Sequence, residues 1–175
     1  MPLPNHFSGA VRIAVIGGTG ISALEAENFT AVAILDIETP YGKPSSPITI
    51  LTTPSNDAPI AFLSRHGLHH QLTPSEVPSR ANIAALRSLG VRSIIAFSAV
   101  GSLREQIKPR DFVLPSQIID RTKGVRPYTF FEGGLVGHVG FADPFDSGLS
   151  KVVEKAAAST EVTVHADKLL ICMGN

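Results

Sequence analysis

Short apolar runs closed by glycine or proline set the rhythm of this chain. Residues 11–16, "VRIAVI", are almost continuously hydrophobic and lead straight into "GGTG", the pattern of a buried strand ending in a glycine turn. "AVAILDIET" at 31–39 predicts a second strand, stopped by "PYGKPSSP", whose three prolines in eight residues oppose regular pairing. "PITILTT" at 47–53 and "PIAFLSR" at 59–65 predict two more strands, with "PSNDAP" as the turn between them. From Ser79 to Leu89 the period lengthens to that of a helix, with Ile83, Leu86 and Leu89 as its apolar stripe and Gly90 as a left-handed stop.

The second half repeats the alternation with weaker punctuation. "SIIAFSAVG" at 93–101 has the unbroken apolar character expected of a central strand. "DFVLPSQIIDRT" predicts a strand or two near 111–120, interrupted by Pro115. Residues 123–145 mix glycine, proline and aromatics without a period and predict a long functional loop. Asp146 or Ser147 can cap a helix that places Leu149, Val152, Val153 and Ala156 at i, i+3, i+4 and i+7. "EVTVHADKLLICM" then predicts a final strand. Strands alternating with helices define an α/β class, in one domain spanning 1–175.

Composition narrows the function. Fifteen Lys plus Arg balance fifteen Asp plus Glu, so there is no basic excess to attract nucleic acid or an anionic membrane. A single cysteine, Cys172, cannot form an internal disulfide, and no apolar run approaches the roughly 18 residues of a membrane span. The expected setting is intracellular, the cytosol with the nucleus also open to it.

Four stretches carry candidate chemistry. In "IGGTGISA", residues 16–23, the glycines free the backbone to aim successive N–H groups at an anion. Gly18, Gly20 and Ala23 also match the G-x-G-x-x-A of a dinucleotide fold, with Asp36 as the ribose acid, so a nicotinamide-binding module is one reading. A threonine between glycines suits inorganic phosphate, and a turn with no ligand is the third reading. In "LSRHGLHHQLTPSEV", residues 63–77, Arg65 beside His66 disfavours a dication and favours an oxyanion, whereas His69 and His70 fit a solvated loop. No metal site is therefore expected. In "FSAVGSLRE", residues 97–105, Ser98, Ala99 and Gly101 end a strand with small residues that let a ligand approach the backbone. His138, inside the long loop, is open to three roles: solvated, internally satisfied, or presented to a neighbouring subunit's ligand.

Taken in order, "IGGTG", "TPYGKPS", "RHG" followed by "H", "RANIAALRSLG", "AVGSLRE", "DRT", "RP" and "FADPF" resemble the 5′-methylthioadenosine phosphorylase branch of the purine nucleoside phosphorylase family over nearly the whole chain. The resemblance implies a mixed central sheet flanked by helices, a homotrimer, and phosphorolysis of 5′-methylthioadenosine to adenine and 5-methylthioribose 1-phosphate. It implies no cofactor, phosphate being a substrate. By motif, Thr19, Arg65, His66, Ser98 and Ala99 would line the phosphate. Val100 and Gly101 would border the purine and ribose, and His138 would reach the alkylthio group of the adjoining subunit.

Three departures from the family pattern stand out. Ser98 takes the place of the usual threonine and keeps its hydroxyl. "VPSRANI" lacks the aromatic often found before the arginine. In the family, a stretch like "LLICM" continues into E-G-P-x-F-[ST] and a further third or more of the protein; here "LLICMGN" is the end of the sequence. No catalytic residue is assigned with certainty, because the ribose-holding methionine and glutamate and the aspartate near purine N7 belong to that further part. The alternative expectation is accordingly a catalytically inactive remnant that binds phosphate or subunits.

Overall fold

The computed structural model describes residues 2–21, 28–53 and 56–173, which fall into two compact units, Met1–Ala99 and Val100–Asn175. The first unit contains strands β1 (Ile13–Gly17), β2 (Thr30–Leu35), β3 (Ile48–Thr53) and β4 (Asn56–Ser64), helix α1 (Ser79–Ser88) and strand β5 (Ser93–Ala96). They form a five-stranded sheet in the order β2-β3-β4-β1-β5. The β2, β3 and β4 strands run antiparallel, while β4, β1 and β5 run parallel. The sheet is therefore mixed.

The apolar run of β1 is explained by burial on both faces. Ala14 and Ile16 join Ile48, Ile50, Leu63, Ala85 and Leu86 in one cluster, and the intervening Val15 packs on the opposite side with Leu51 and Phe62. Side chains alternate across a strand, so a strand covered twice reads as unbroken hydrophobicity. Helix α1 closes the first cluster. Its last turn ends in a Schellman motif: Gly90 N–H donates to Arg87 O at 2.9 Å, Val91 N–H donates to Leu86 O at 3.3 Å, and Gly90 sits at φ +88°.

The second unit contains β6 (Phe112–Arg121), helix α2 (Ser147–Ala157) and β7 (Val164–Met173). The two strands pair in parallel from Phe112↔Val164 to Arg121↔Met173. A parallel pair requires a crossover, here the long loop and α2. The carboxylate of Asp146 caps α2 by accepting from Leu149 N–H at 2.6 Å. No residue of α2 is buried, and β7 leaves Leu169, Ile171 and Met173 exposed.

Several expectations need correction. Strand β2 stops at Leu35, before the acidic and proline-flanked residues up to 39, where only a bridge between Thr39 and Gly42 forms. Strand β4 starts at Asn56, so the expected turn "PSNDAP" is largely strand, with 54 and 55 outside the described residues. The expected central strand at 93–101 is only four residues long and ends the sheet order, because an apolar run reports covered faces and not the number of neighbouring strands. Pro115 does not divide β6; it shifts the register on either side of itself. In α1 the buried face is Ala81, Asn82, Ala85 and Leu86, while Ile83 is 37% exposed. In α2 the half-buried line is Leu149, Val153 and Ala157; Val152 and Ala156 face outward.

Candidate phosphate site and relatives of the chain

Three loops of the first unit leave the same end of three neighbouring parallel strands. Gly17 of β1 is in register with Ser64 of β4, and Ile16 with Ala96 of β5. The backbone hydrogen bonds continue beyond the strands: Arg65 N–H donates to Gly17 O at 2.9 Å, and Phe97 N–H donates to Ile16 O at 2.9 Å. This ladder brings the "GGTG" turn, the "RHG" turn and the start of "FSAVG" side by side at the carboxyl ends of the strands, where open α/β sheets gather ligands. Thr19, Ser98 and Ala99 are exposed at these tips, and Arg65 and His66 are half-buried between them.

Gly18 lies at the centre of this arrangement and is buried. A Cβ placed on it would come within 2.5 Å of Arg65 Nη2 and would collide with the carbonyl oxygen of Phe97. The missing side chain is the space that the guanidinium occupies. Gly20 adopts φ +89° with open space around it, which lets the turn reverse without strain.

The loop after β4 is held from both sides. Ser64 Oγ donates to Gly67 O at 2.9 Å, and Gly67 at φ +81° closes a tight turn with its N–H on Ser64 O at 3.2 Å. His66 Nδ1 lies 2.9 Å from Leu72 O, and Arg65 Nε donates to His66 Nε2 at 3.4 Å. The rings of His66 and His70 stack at 5.7 Å between centroids. His69 and His70 are exposed, in keeping with a solvated loop.

A buried polar network supports the site from beneath. Asn82 Oδ1 accepts from Ser45 N–H at 2.8 Å and from Ser45 Oγ at 3.1 Å, while Ser46 Oγ accepts from Ser64 N–H at 3.1 Å. The adjacent serines of "TPYGKPSS" thus tie α1 to the root of the Arg65 turn. Arg80 lies over the Tyr41 ring at 5.3 Å. None of Ser45, Ser46 or Asn82 was singled out by sequence as a site residue; two hydroxyls between prolines, followed by an asparagine on a helix face, were the available signal.

The dinucleotide reading does not survive this topology. A nucleotide-binding βαβ unit sets its second strand parallel beside the first. Here β2 lies three strand positions from β1, roughly 14 Å by ordinary strand spacing. Asp36, just after β2, is paired with Lys43 at 2.9 Å. Ala23, the last position of that fingerprint, lies within 22–27, outside the described residues.

In the second unit Val100, Gly101 and His138 are all exposed, Val100 by 59%. The "DRT" and "RP" motifs join the strand ends there. Asp120 accepts from Thr122 Oγ1 at 2.6 Å and Thr122 N–H at 2.7 Å, bonds that hold its carboxyl below the ordinary aspartate value. Arg126 Nη2 donates to Met173 O at 3.4 Å. Among the described residues no group of three or more His, Cys, Asp or Glu side chains could hold a metal ion, and no helix is long and apolar enough to cross a membrane.

Fold, turn chemistry and motif order agree with the comparisons. The Phosphorylase superfamily profile matches residues 12–175, and the chain belongs to that superfamily. It is 75% identical over 178 residues to an S-methyl-5′-thioadenosine phosphorylase of Tuber melanosporum, covering 99% of this chain and 57% of the relative. It is 63% identical over 174 residues to the protein of the same name from Neurospora crassa, covering 98% of this chain and 55% of that one. Among solved structures, a methylthioadenosine phosphorylase sourced from an antarctic soil metagenomic library aligns with a TM-score of 0.85 at 44% identity, covering 95% of this chain and 57% of the other. A methylthioadenosine phosphorylase from Schistosoma mansoni, solved in complex with adenine, aligns with a TM-score of 0.83 at 32% identity, covering 93% and 65%. The chain thus spans a little over half the length of these curated relatives.

Proposed function

We propose that the chain carries the phosphate side of a 5′-methylthioadenosine phosphorylase. The reading is supported most directly by the side-by-side tips of β4, β1 and β5, with the Arg65 guanidinium seated against the missing side chain of Gly18. On this reading Thr19, Arg65, His66, Ser98 and Ala99 surround inorganic phosphate. Backbone N–H groups, two hydroxyls and a guanidinium are the donors such an anion needs.

In the reaction a phosphate oxygen forms a bond to the anomeric carbon of the thioribose while the bond from that carbon to the purine nitrogen breaks. The electron pair departs with the base, which takes up a proton and leaves as adenine; the sugar leaves as 5-methylthioribose 1-phosphate. The anomeric carbon has oxocarbenium character as the bonds exchange, so holding the nucleophile in place and close by is the main demand on this half of the site. The roles of Val100 and Gly101 beside the nucleoside, of His138 at the alkylthio group of a neighbouring subunit, the homotrimer and the cytosolic or nuclear setting rest on the family resemblance. No cofactor enters the reaction.

The test is phosphate dependence. Incubation with 5′-methylthioadenosine and inorganic phosphate should release adenine and sugar 1-phosphate in equal amounts, with no release when phosphate is left out. Adenine set free at the same rate without phosphate would mark a hydrolase and overturn the proposal.

A further inference from the structure

We infer that the outer edge of β2 is a strand-pairing surface for a second copy of this chain, and that the amino-terminal arm, residues 2–7, keeps it closed. Neither the edge nor the arm belongs to the phosphate site. Strand β2 stands last in the order of the five-stranded sheet, next to β3. Its residues, "TAVAIL", include the β-branched Thr30, Val32 and Ile34, carry no charge and no proline, and leave Ile34 42% exposed. An edge strand of that composition offers its outward N–H and C=O groups to another strand. Antiparallel pairing of β2 with β2 about a two-fold axis would satisfy the same groups on both copies.

Two devices cover that edge. In the first half of β2 the register shifts between Ala31 and Ala33, which breaks the regular ladder a new strand would need. The second half pairs regularly with β3 through Ile34↔Thr49 and Leu35↔Ile48, and this is where the arm lies. Ile34 N–H donates to Pro4 O at 3.0 Å, and Asp36 N–H donates to Asn5 Oδ1 at 2.7 Å. Positions 34 and 36 are two residues apart, so both N–H groups point from the same side, away from β3. The arm takes one with a main-chain carbonyl and the other with a side chain. Further along, Phe7 packs against the core cluster and Val11 is 1% exposed, which anchors the arm at its base. Pro2 and Pro4 restrict its backbone and so lower the entropy lost when it docks. Pro4 and Asn5 are themselves exposed, so opening their two bonds uncovers the edge without unpacking the core.

Residue-resolved amide exchange and sedimentation of the full chain supply the test. In the wild type the Ile34 and Asp36 amides should be protected, and Asn5→Ala should speed exchange at Asp36 about fivefold, the size of one ordinary hydrogen bond. A variant lacking residues 2–5 keeps Phe7 at the base of the arm. When dilute it should exchange freely at both amides. At higher concentration it should form species heavier than the wild type does, with protection at Ile34 and Asp36 returning as it associates. Ile34→Lys in the same shortened chain should abolish that association, because a charge on an edge strand opposes pairing. Slow exchange at Leu63, which is fully buried, verifies that the shortened chain is folded. If it does not fold, concentration-dependent association of Asn5→Ala beyond the wild type, reversed by Ile34→Lys, decides the question instead. Unprotected Ile34 and Asp36 amides in the wild type would overturn the inference. So would a folded shortened chain no more associated than the wild type, or an association that survives Ile34→Lys.

Discussion

His165 Nε2 and the Asp111 carboxylate stand 2.8 Å apart, joining the residue before β6 to the second residue of β7 across 54 positions of sequence. The same carboxylate oxygen accepts the backbone N–H of Lys108 at 2.9 Å. The hydrogen bond from His165, and then that from Lys108, hold the Asp111 carboxyl below its ordinary value. A carboxyl with a lowered folded-state value stabilises the fold fully above the ordinary aspartate range. That contribution is lost as pH falls from there through the lowered value, because the unfolded chain takes up the proton first. Melting temperature measured between about pH 6 and pH 2 should therefore fall on the acid side, and Asp111→Asn should flatten part of that fall. Glu76 and Asp120, also lowered by their threonine partners, act in the same sense, so some acid sensitivity should persist in the variant. An unchanged acid limb would show that the pair does not tie the strands.

Leu86 is fully buried and Ile83, three residues before it, is 37% exposed. Leu86→Ala should cost about 2–5 kcal/mol through lost transfer energy and the cavity left behind. Ile83→Ala should cost roughly 0.5 kcal/mol, as for a surface substitution. Urea denaturation of both variants measures the contrast. Similar losses would mean that the helix packs on the stripe read from its sequence.

That contrast also marks what the residues disclosed in advance. Elements with strong local causes were legible: β1 running into its glycine turn, Gly90 ending α1, Asp146 capping α2 and the unpatterned stretch after β6. Neighbours were not. The apolar 93–101 run gave no sign that β5 would end the sheet order, since hydrophobicity reports what covers a strand's faces and is silent about its edges. The candidate residues Thr19, Arg65 and Ser98 were recognisable as strand-tip chemistry, and the sheet order brings their loops together. The Ser45–Asn82 link, spanning 37 positions, was hidden because polar pairing at long range leaves no periodic trace.

Asn82 is 3% exposed and is the acceptor for both the N–H and the hydroxyl of Ser45. Asn82→Ala would leave a buried backbone donor without a partner, at a cost of about 1–3 kcal/mol. Because Ser46 Oγ accepts from Ser64 N–H at the root of the Arg65 turn, the loss should extend to the site. The expected outcome is a lower urea midpoint together with weaker phosphate binding in titration. A destabilised variant with unchanged phosphate affinity would confine Asn82 to the core.

Gly18→Ala tests the seat of the guanidinium directly. The added methyl would stand 2.5 Å from Arg65 Nη2 and would meet Phe97 O, a backbone atom fixed by the Phe97 N–H to Ile16 O bond. Arg65 Nη2 is the far end of a long side chain whereas Phe97 O is backbone, so Arg65 should shift and β5 should stay in place. Overpacking of this kind costs about 1–3 kcal/mol. Removing one charge-assisted contact to the anion is worth about 1.5–3 kcal/mol, so phosphate affinity should fall by roughly tenfold or more. Gly20→Ala supplies the control: its position has open space but a φ of +89°, so it should lose stability through backbone strain without displacing Arg65. Phosphate titration and urea denaturation of the two variants separate the cases. If Gly18→Ala bound phosphate as tightly as the wild type, the guanidinium at the tips of β4 and β1 would have no part in holding it.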